Sequence, residues 1–394
     1  MNKRILLPIF LSTILVSFTI KIVAAQEVPS VFDYSIQYHT NVDTHNVGWV
    51  QVNEDRFGNA NNSGIAALET FDGYLYVSTG NTTDGGQIWR SSNGFTWQDV
   101  TNDFQQSHSD FIADFIEFDG YLYAGTSDTD VNPGCEVWRS SNGIDWTRVI
   151  SNGFDDENNI EILNLEIFNN QLYAGLAAAN GAEVWSSPDG IAWQQVNVDG
   201  FGKGTDNSSI AAFEIFNNKL YASTWNGAGG AEIWHYDSIT WTVAMTGGFG
   251  VSDNIGITAL AEFNNQLYAV TRNMVSGSEV WRSPNGVDWT NVITGGMGDP
   301  NNNRGYGLYV FGQHLYFFTG NLITGGDVWR SLNGTTWEQV GYDGWGNPEN
   351  VGTFQDNSIA IFNDNLFVGT VSGGEVWLYL PNNIFLPMVI KNGG

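Results

Sequence analysis

The chain has 394 residues, with 14 Lys and Arg against 42 Asp and Glu, a formal charge of −28. A polyanion of this size repels nucleic acid and anionic membrane, so both are poor partners. A single cysteine, Cys135, excludes a disulfide framework, and 16 Trp are too many for a disordered chain.

The chain begins with Lys3 and Arg4, followed by an apolar run from Ile5 to Ile20. Val23 and Ala25 then stand three and one residues before Gln26, the pattern of a cleavable export signal. The run is shorter than the roughly 20 residues that span a bilayer. Residues 1–25 therefore read as a signal peptide, and the mature chain as secreted or at the cell surface with no transmembrane segment. Residues 26–48 read as a linker.

From Trp49 onward the chain is periodic. Trp89, Trp138, Trp185, Trp234, Trp281, Trp329 and Trp377 recur at a mean interval of 48 residues. A second series, Trp97, Trp146, Trp193, Trp241, Trp289 and Trp337, follows eight residues later, or seven at Trp241. Leu75-Tyr76, Leu122-Tyr123, Leu172-Tyr173, Leu220-Tyr221, Leu267-Tyr268, Leu315-Tyr316 and Leu366-Phe367 make a third series. In the first repeat, Ile65 to Phe71 is almost continuously apolar, as a strand buried on both faces should be. Asp72-Gly73 is a tight hairpin turn. Strands at 75–79, 87–91 and 97–100 complete the repeat. Four strands per 48 residues predict an all-β chain, a seven-bladed β-propeller over residues 49–380. The last repeat lacks a fourth strand, and Trp49-Val50-Gln51-Val52 is a fourth strand without a repeat of its own. Pairing the two closes the ring and removes an exposed edge. Residues 381–394 are a short apolar tail.

The turn Ser91-Ser92-Asn93-Gly94-Phe95-Thr96-Trp97 recurs at Ser140 to Trp146, Ser187 to Trp193, Ser283 to Trp289 and Ser331 to Trp337. A degenerate copy runs from His235 to Trp241. These copies resemble the Asp-box, or BNR-type, hairpin of many propellers, each one residue shorter than the commonest form and most with Asn for Asp. The resemblance implies a fold, since such propellers include sialidases, sorting receptors and assembly factors.

Within each blade, the first-to-second and third-to-fourth turns share one end of the ring and are uniform. The variable connections lie at the other end, where binding is expected. The residue ending the second strand is Gly80, Ser127, Ala177, Trp225, Arg272, Gly320 or Val371. Trp225 and Arg272 break that series of small and apolar residues. Arg56, His108, Arg304, Tyr306 and Trp345 lie in the variable blade-to-blade loops, and all seven are candidate ligand contacts. Asp128, Asp130, Asp155, Asp156, Asp206 and Asp253 are candidate oxygen ligands for calcium. An Asn or Asp followed by Asn, at 61–62, 158–159, 206–207, 253–254 and 302–303, precedes most first strands and reads as a backbone cap, with His108-Ser109 at that place in the second repeat. Glu136, Glu183, Glu232, Glu279, Asp327 and Glu375 recur in the third strand and read as scaffold, and Glu69, Glu166 and Glu214 as scaffold that can line the channel.

The residues favour a monomeric, non-catalytic binding or scaffold propeller for glycan or extracellular protein. The alternative is a glycoside hydrolase. The resemblance to sialidases implies arginines gripping a carboxylate, for which Arg56, Arg272 and Arg304 are available, with Tyr306 as nucleophile. Six blades and an Arg-Ile-Pro motif belong to that family, and this chain shows seven repeats and Arg56-Phe57-Gly58.

Overall fold

The computed structural model describes residues 46, 48–102, 110–127 and 134–381. The leader, nearly all of the 26–48 linker and residues 382–394 lie outside them. The described chain is nearly all β, and its helical turns are single turns at the junctions between repeats. Among the described residues no helix is long and apolar enough to cross a membrane.

The first repeat forms antiparallel strands Gly64–Phe71, Tyr74–Gly80, Ile88–Ser91 and Gln98–Asp99. Leu68 pairs with Val77, Val77 with Trp89, and Trp89 with Asp99. The fourth strand is shorter than expected, because Trp97 belongs to the turn. Asp72 and Gly73 take φ of 47° and 76°. Asp and Gly tolerate this left-handed region, which is why the hairpin can be two residues long.

Each first strand of the six repeats beginning at Gly64 carries a bulge near its start, as between Ile65 and Leu68 or between Ile210 and Ala212. The bulge frees a backbone amide, which in the first repeat a second-strand serine uses. Ser78 Oγ accepts from Ala67 N (2.9 Å) and donates to Ile112 O of the next repeat (2.7 Å). Ser223 donates likewise to Ile257 O (2.7 Å).

The core straddles repeat boundaries. Ala67, Phe71 and Tyr76 bury against Ile112, Phe115 and Trp138 of the second repeat. The glycine of the third-to-fourth turn of one repeat lies against the second-strand tyrosine of the repeat before. A Cβ at Gly143 would strike the Tyr76 ring, and one at Gly190 the Tyr123 ring. The turns themselves fold as read. Asn93 Oδ1 accepts from Phe95 N (2.8 Å) and Thr96 N (2.9 Å), and Ser91 Oγ accepts from Gly94 N (2.9 Å). In the degenerate copy Asp237 Oδ1 keeps both bonds, to Ile239 N and Thr240 N, while Ser238 at φ 76° stands in for glycine.

In the last repeat, strands Ile359–Phe362, Asn365–Gly369 and Val376–Tyr379 are joined by Trp49–Gln51 from the start of the described chain. Trp49 pairs with Tyr379 and Gln51 with Trp377. This repeat packs on the first as other neighbours pack on each other. Phe367 lies where Tyr76 does, and a Cβ at Gly94 would strike its ring at 2.5 Å. Ile65 and Leu68 share a buried cluster with Phe362, Phe367 and Val376.

Candidate functional site

The loop end is built on a repeated polar relay. Asn207 is fully buried; its Nδ2 donates to Gly200 O (3.0 Å) and Glu232 Oε2 (2.8 Å), and its Oδ1 accepts from Asn226 Nδ2 (2.9 Å). Glu232 Oε2 also accepts from Trp234 Nε1 (3.1 Å). Asn226 Oδ1 in turn accepts from Ala228 N and Gly229 N of the second-to-third loop. Asn254, Glu279, Trp281 and Asn273 repeat the relay in the next unit. Asn62 uses Gln87 and Asn81, and Asn350 uses Glu375 and Thr370. The recurring third-strand acids and loop asparagines thus satisfy buried backbone and indole groups, as a scaffold does. Asn81 and Asn207 head glycosylation sequons, but both side chains are buried in this network.

Carboxyls from several first strands face one another at the middle of the fold. Burial pushes Glu69, Glu166 and Asp356 up to about 7 and Glu214 up to about 8. Burial holds Asp114 well above the usual carboxylate range, and the neighbouring charges of Asp356 and Glu69 add to that. Residues 353–358 run among them: Asn357 Nδ2 donates to Ala113 O (3.0 Å) and Leu163 O (2.7 Å), tying the last repeat to the second and third.

Strand pairing between neighbours confirms that the second-strand ends are equivalent positions. Gly80 pairs with Phe111, Ser127 with Glu161, Ala177 with Ser209, Trp225 with Gly256, and Arg272 with Arg304. These pairings bring four of the seven candidate ligand contacts into one cluster. The Arg272 guanidinium lies 4.6 Å over the Trp225 ring. Arg304 sits beside Arg272, 6.0 Å over the Tyr306 ring, and its Nη1 donates to the Tyr306 hydroxyl (2.9 Å). Glycines make room: a Cβ at Gly256 would come within 3.2 Å of Trp225, and one at Gly320 or Gly352 would strike Tyr306. Burial and the charge of Arg304 lower the Arg272 guanidinium below its usual range. Neither arginine has a carboxylate partner among the described residues, and the Nε of each is buried without an acceptor. Beside Trp225 lies a depression of about 320 Å³ lined by Ile160, Ala177–Ala179, Thr205, Ser208 and Ser209.

The remaining candidates lie elsewhere. Trp345 is buried, stacked on Trp377 (5.7 Å) and edge-on to Trp49 (5.4 Å), so it is core rather than a ligand platform. Arg56 is spent on Glu349 (3.1 Å) and Ser372 O (3.0 Å). It does not join the other two arginines through any contact, so no three-arginine grip is assembled. His108, Asp128 and Asp130 lie outside the described residues. Asp155 occupies a left-handed turn position, φ 68°, and Asp156 Oδ1 caps Asn158 N (2.9 Å). Asp206 and Asp253 are exposed, each one residue before the relay asparagine of its own repeat. Among the described residues no three His, Cys, Asp or Glu gather to hold a metal ion.

Trp345 belongs to a motif that sequence reading missed. Phe57, Phe154, Phe201, Phe249, Met297 and Trp345 each sit at positive φ in a left-handed turn, usually flanked by glycine. Phe249 stacks on Trp281 (4.5 Å) and stands edge-on to Trp289 (5.2 Å), and Phe201 does the same with Trp234 and Trp241. The recurrence of Gly-Phe-Gly, Gly-Met-Gly and Gly-Trp-Gly at the repeat interval was the available signal.

No family model matches the chain, and no curated protein matches it. Among solved structures it is similar to prolyl endopeptidases, at 13% identity and a TM-score of 0.44 over 73% of this chain. It spans only 43% of that chain. It is also similar to a provisionally assigned 6-phosphogluconolactonase from Bacteroides uniformis, at 10% identity and a TM-score of 0.49, covering 78% of this chain and 89% of that one.

Proposed function

We propose that the chain is an exported, seven-bladed propeller of the Asp-box type, closed by its N-terminal strand, that binds glycan or protein at its loop end without transforming it. The ring rests on the pairing of Trp49–Gln51 with the last repeat and on the packing of that repeat against the first. The observation that carries the binding reading is the convergence of Trp225, Arg272, Arg304 and Tyr306 from three successive repeats. Two adjacent guanidinium groups repel each other, and no acid among the described residues pairs with either. The free energy of that repulsion is recovered when an anionic group of a ligand arrives.

The test is a binding screen of residues 26–394 against a glycan array and displayed peptides, in calcium and in chelator. Binding that falls at least tenfold with Arg272→Ala supports the site. Calcium dependence would return Asp155, Asp156, Asp206 and Asp253 to consideration as ligands. Turnover of an array glycan would replace this reading with a glycoside hydrolase.

A further inference from the structure

Four second-to-third loops share one turn. Asn81, Asn226, Asn273 and Asn321 each accept, through Oδ1, the backbone amides two and three residues on, at 2.8–3.2 Å. The side chains of the two residues at the tip take no part in this bonding. They are Thr82-Thr83 in the first repeat and Gly227-Ala228 in the fourth. In the fifth and sixth they are Met274-Val275 and Leu322-Ile323, which are 43%, 72%, 56% and 67% exposed. Folding of the turn does not ask for aliphatic tips, since Thr-Thr and Gly-Ala make the same turn. Adjacent aliphatic loops on an otherwise acidic protein mark a contact surface.

Both tips border the arginine pair. Asn273, which starts the Met274-Val275 turn, directly follows Arg272 and donates its N–H to Asn303 O (2.9 Å), next to Arg304. Arg304 itself pairs with Gly320, two residues before Leu322. The aromatic rings of the cluster are already engaged: Arg272 lies over Trp225, and Tyr306 packs on Gly320 and Gly352. They orient guanidinium groups instead of offering an open platform for a sugar ring.

We infer that the loop end of the fifth and sixth repeats docks a protein segment bearing a carboxylate among aliphatic side chains, with Arg272 and Arg304 taking the carboxylate and Met274, Val275, Leu322 and Ile323 the aliphatic groups. This rests on the loop-end binding reading above and selects protein over glycan. Arginine supplies the oriented, charge-assisted bonds, and the aliphatic rim excludes water from them.

The experiment is selection of a random twelve-residue peptide library displayed on phage against residues 26–394, with an array of uronic-acid and sulfated glycans in parallel. Selected peptides should carry Asp or Glu flanked by Leu, Ile, Val, Met or Phe. Their affinity should fall roughly 30-fold with Arg272→Ala and about fivefold with Val275→Ser or Ile323→Ser, and the amide versions of the same peptides should lose as much as the arginine variant. Circular dichroism and thermal melting of each variant confirm that it remains folded. An Arg272→Gln variant separates charge from bulk, because it keeps a polar side chain longer than alanine's while removing the charge. Peptides without the acidic–aliphatic pattern, peptides indifferent to both substitutions, or no peptides at all overturn the inference. Acidic glycans that depend on Arg272 but not on Val275 would overturn it while leaving the binding reading intact. A blank in both arms removes both.

Discussion

The two ends of the repeats obey different rules. At the hairpin end, the turn Asn or Asp, as at Asn93, uses the same oxygen for the same bonds in every copy, and the turn glycine abuts a second-strand tyrosine of the neighbouring repeat, or Phe367 in the case of Gly94. At the loop end, the relay of Asn207, Glu232 and Asn226 is equally regular beneath the surface, yet the residues it carries at the tips vary from Thr to Ile. Regularity therefore marks what the fold requires, and departures from it on a regular support mark what the fold does not require. Trp225 and Arg272 are departures of the second kind.

Substitutions can break this comparison. The largest loss of stability is expected for Asn207→Ala, which removes bonds to Gly200 O and Asn226 and leaves Glu232 short of a donor in a buried position. Denaturant unfolding should show a fall of roughly 3–5 kcal/mol. Gly143→Ala comes next, because its φ is 67° and its Cβ would strike Tyr76. A cost of roughly 2–4 kcal/mol is expected, and a cost below about 1 would show that the hairpin end tolerates variation after all.

The third expectation concerns pH. Glu69, Glu166 and Asp356 near 7 and Glu214 near 8 hold protons in the folded state that the unfolded chain releases in the ordinary carboxylate range. Their contribution to stability is full below about pH 4.5, declines above it, and is gone once pH passes about 8, at up to about 1.4 kcal/mol per pH unit for each group. Unfolding free energy measured from pH 4.5 to 8.5 should fall, and Glu214→Gln should flatten the slope. An unchanged slope in that variant would place the titration elsewhere. The smallest effect is expected at the tips: Val275→Ser and Leu322→Ser should change stability by no more than about 0.5 kcal/mol, whatever they do to binding. A larger loss would make the aliphatic tips part of the fold.

Much of the architecture was legible because a repeat states its own rule many times. The Trp series gave the interval, alternation and turn residues gave the strands, and the leftover strand at Trp49 gave its partner across the chain. The relay asparagines were legible as caps for the same reason. Single residues were harder. Trp345 and Arg56 read as loop residues of unusual chemistry, and both turned out to serve the frame, one stacked on Trp377 and the other paired with Glu349. Their position in the Gly-x-Gly turn series, seen in register, separates them from Trp225 and Arg272.

The amino-acid sequence by itself determined the repeat, the strand order within it and the turn chemistry, since these depend on local conformational preference and on burial patterns of short period. Tertiary structure alone decided which side chains from different repeats meet. Arg272 and Arg304 are 32 positions apart, and Trp225 is 47 from Arg272. Only the pairing of each second strand with the next repeat's first strand lays them side by side. Spacing along the chain carries no record of that pairing, because it is set by how the repeats pack and not by any residue's own preference.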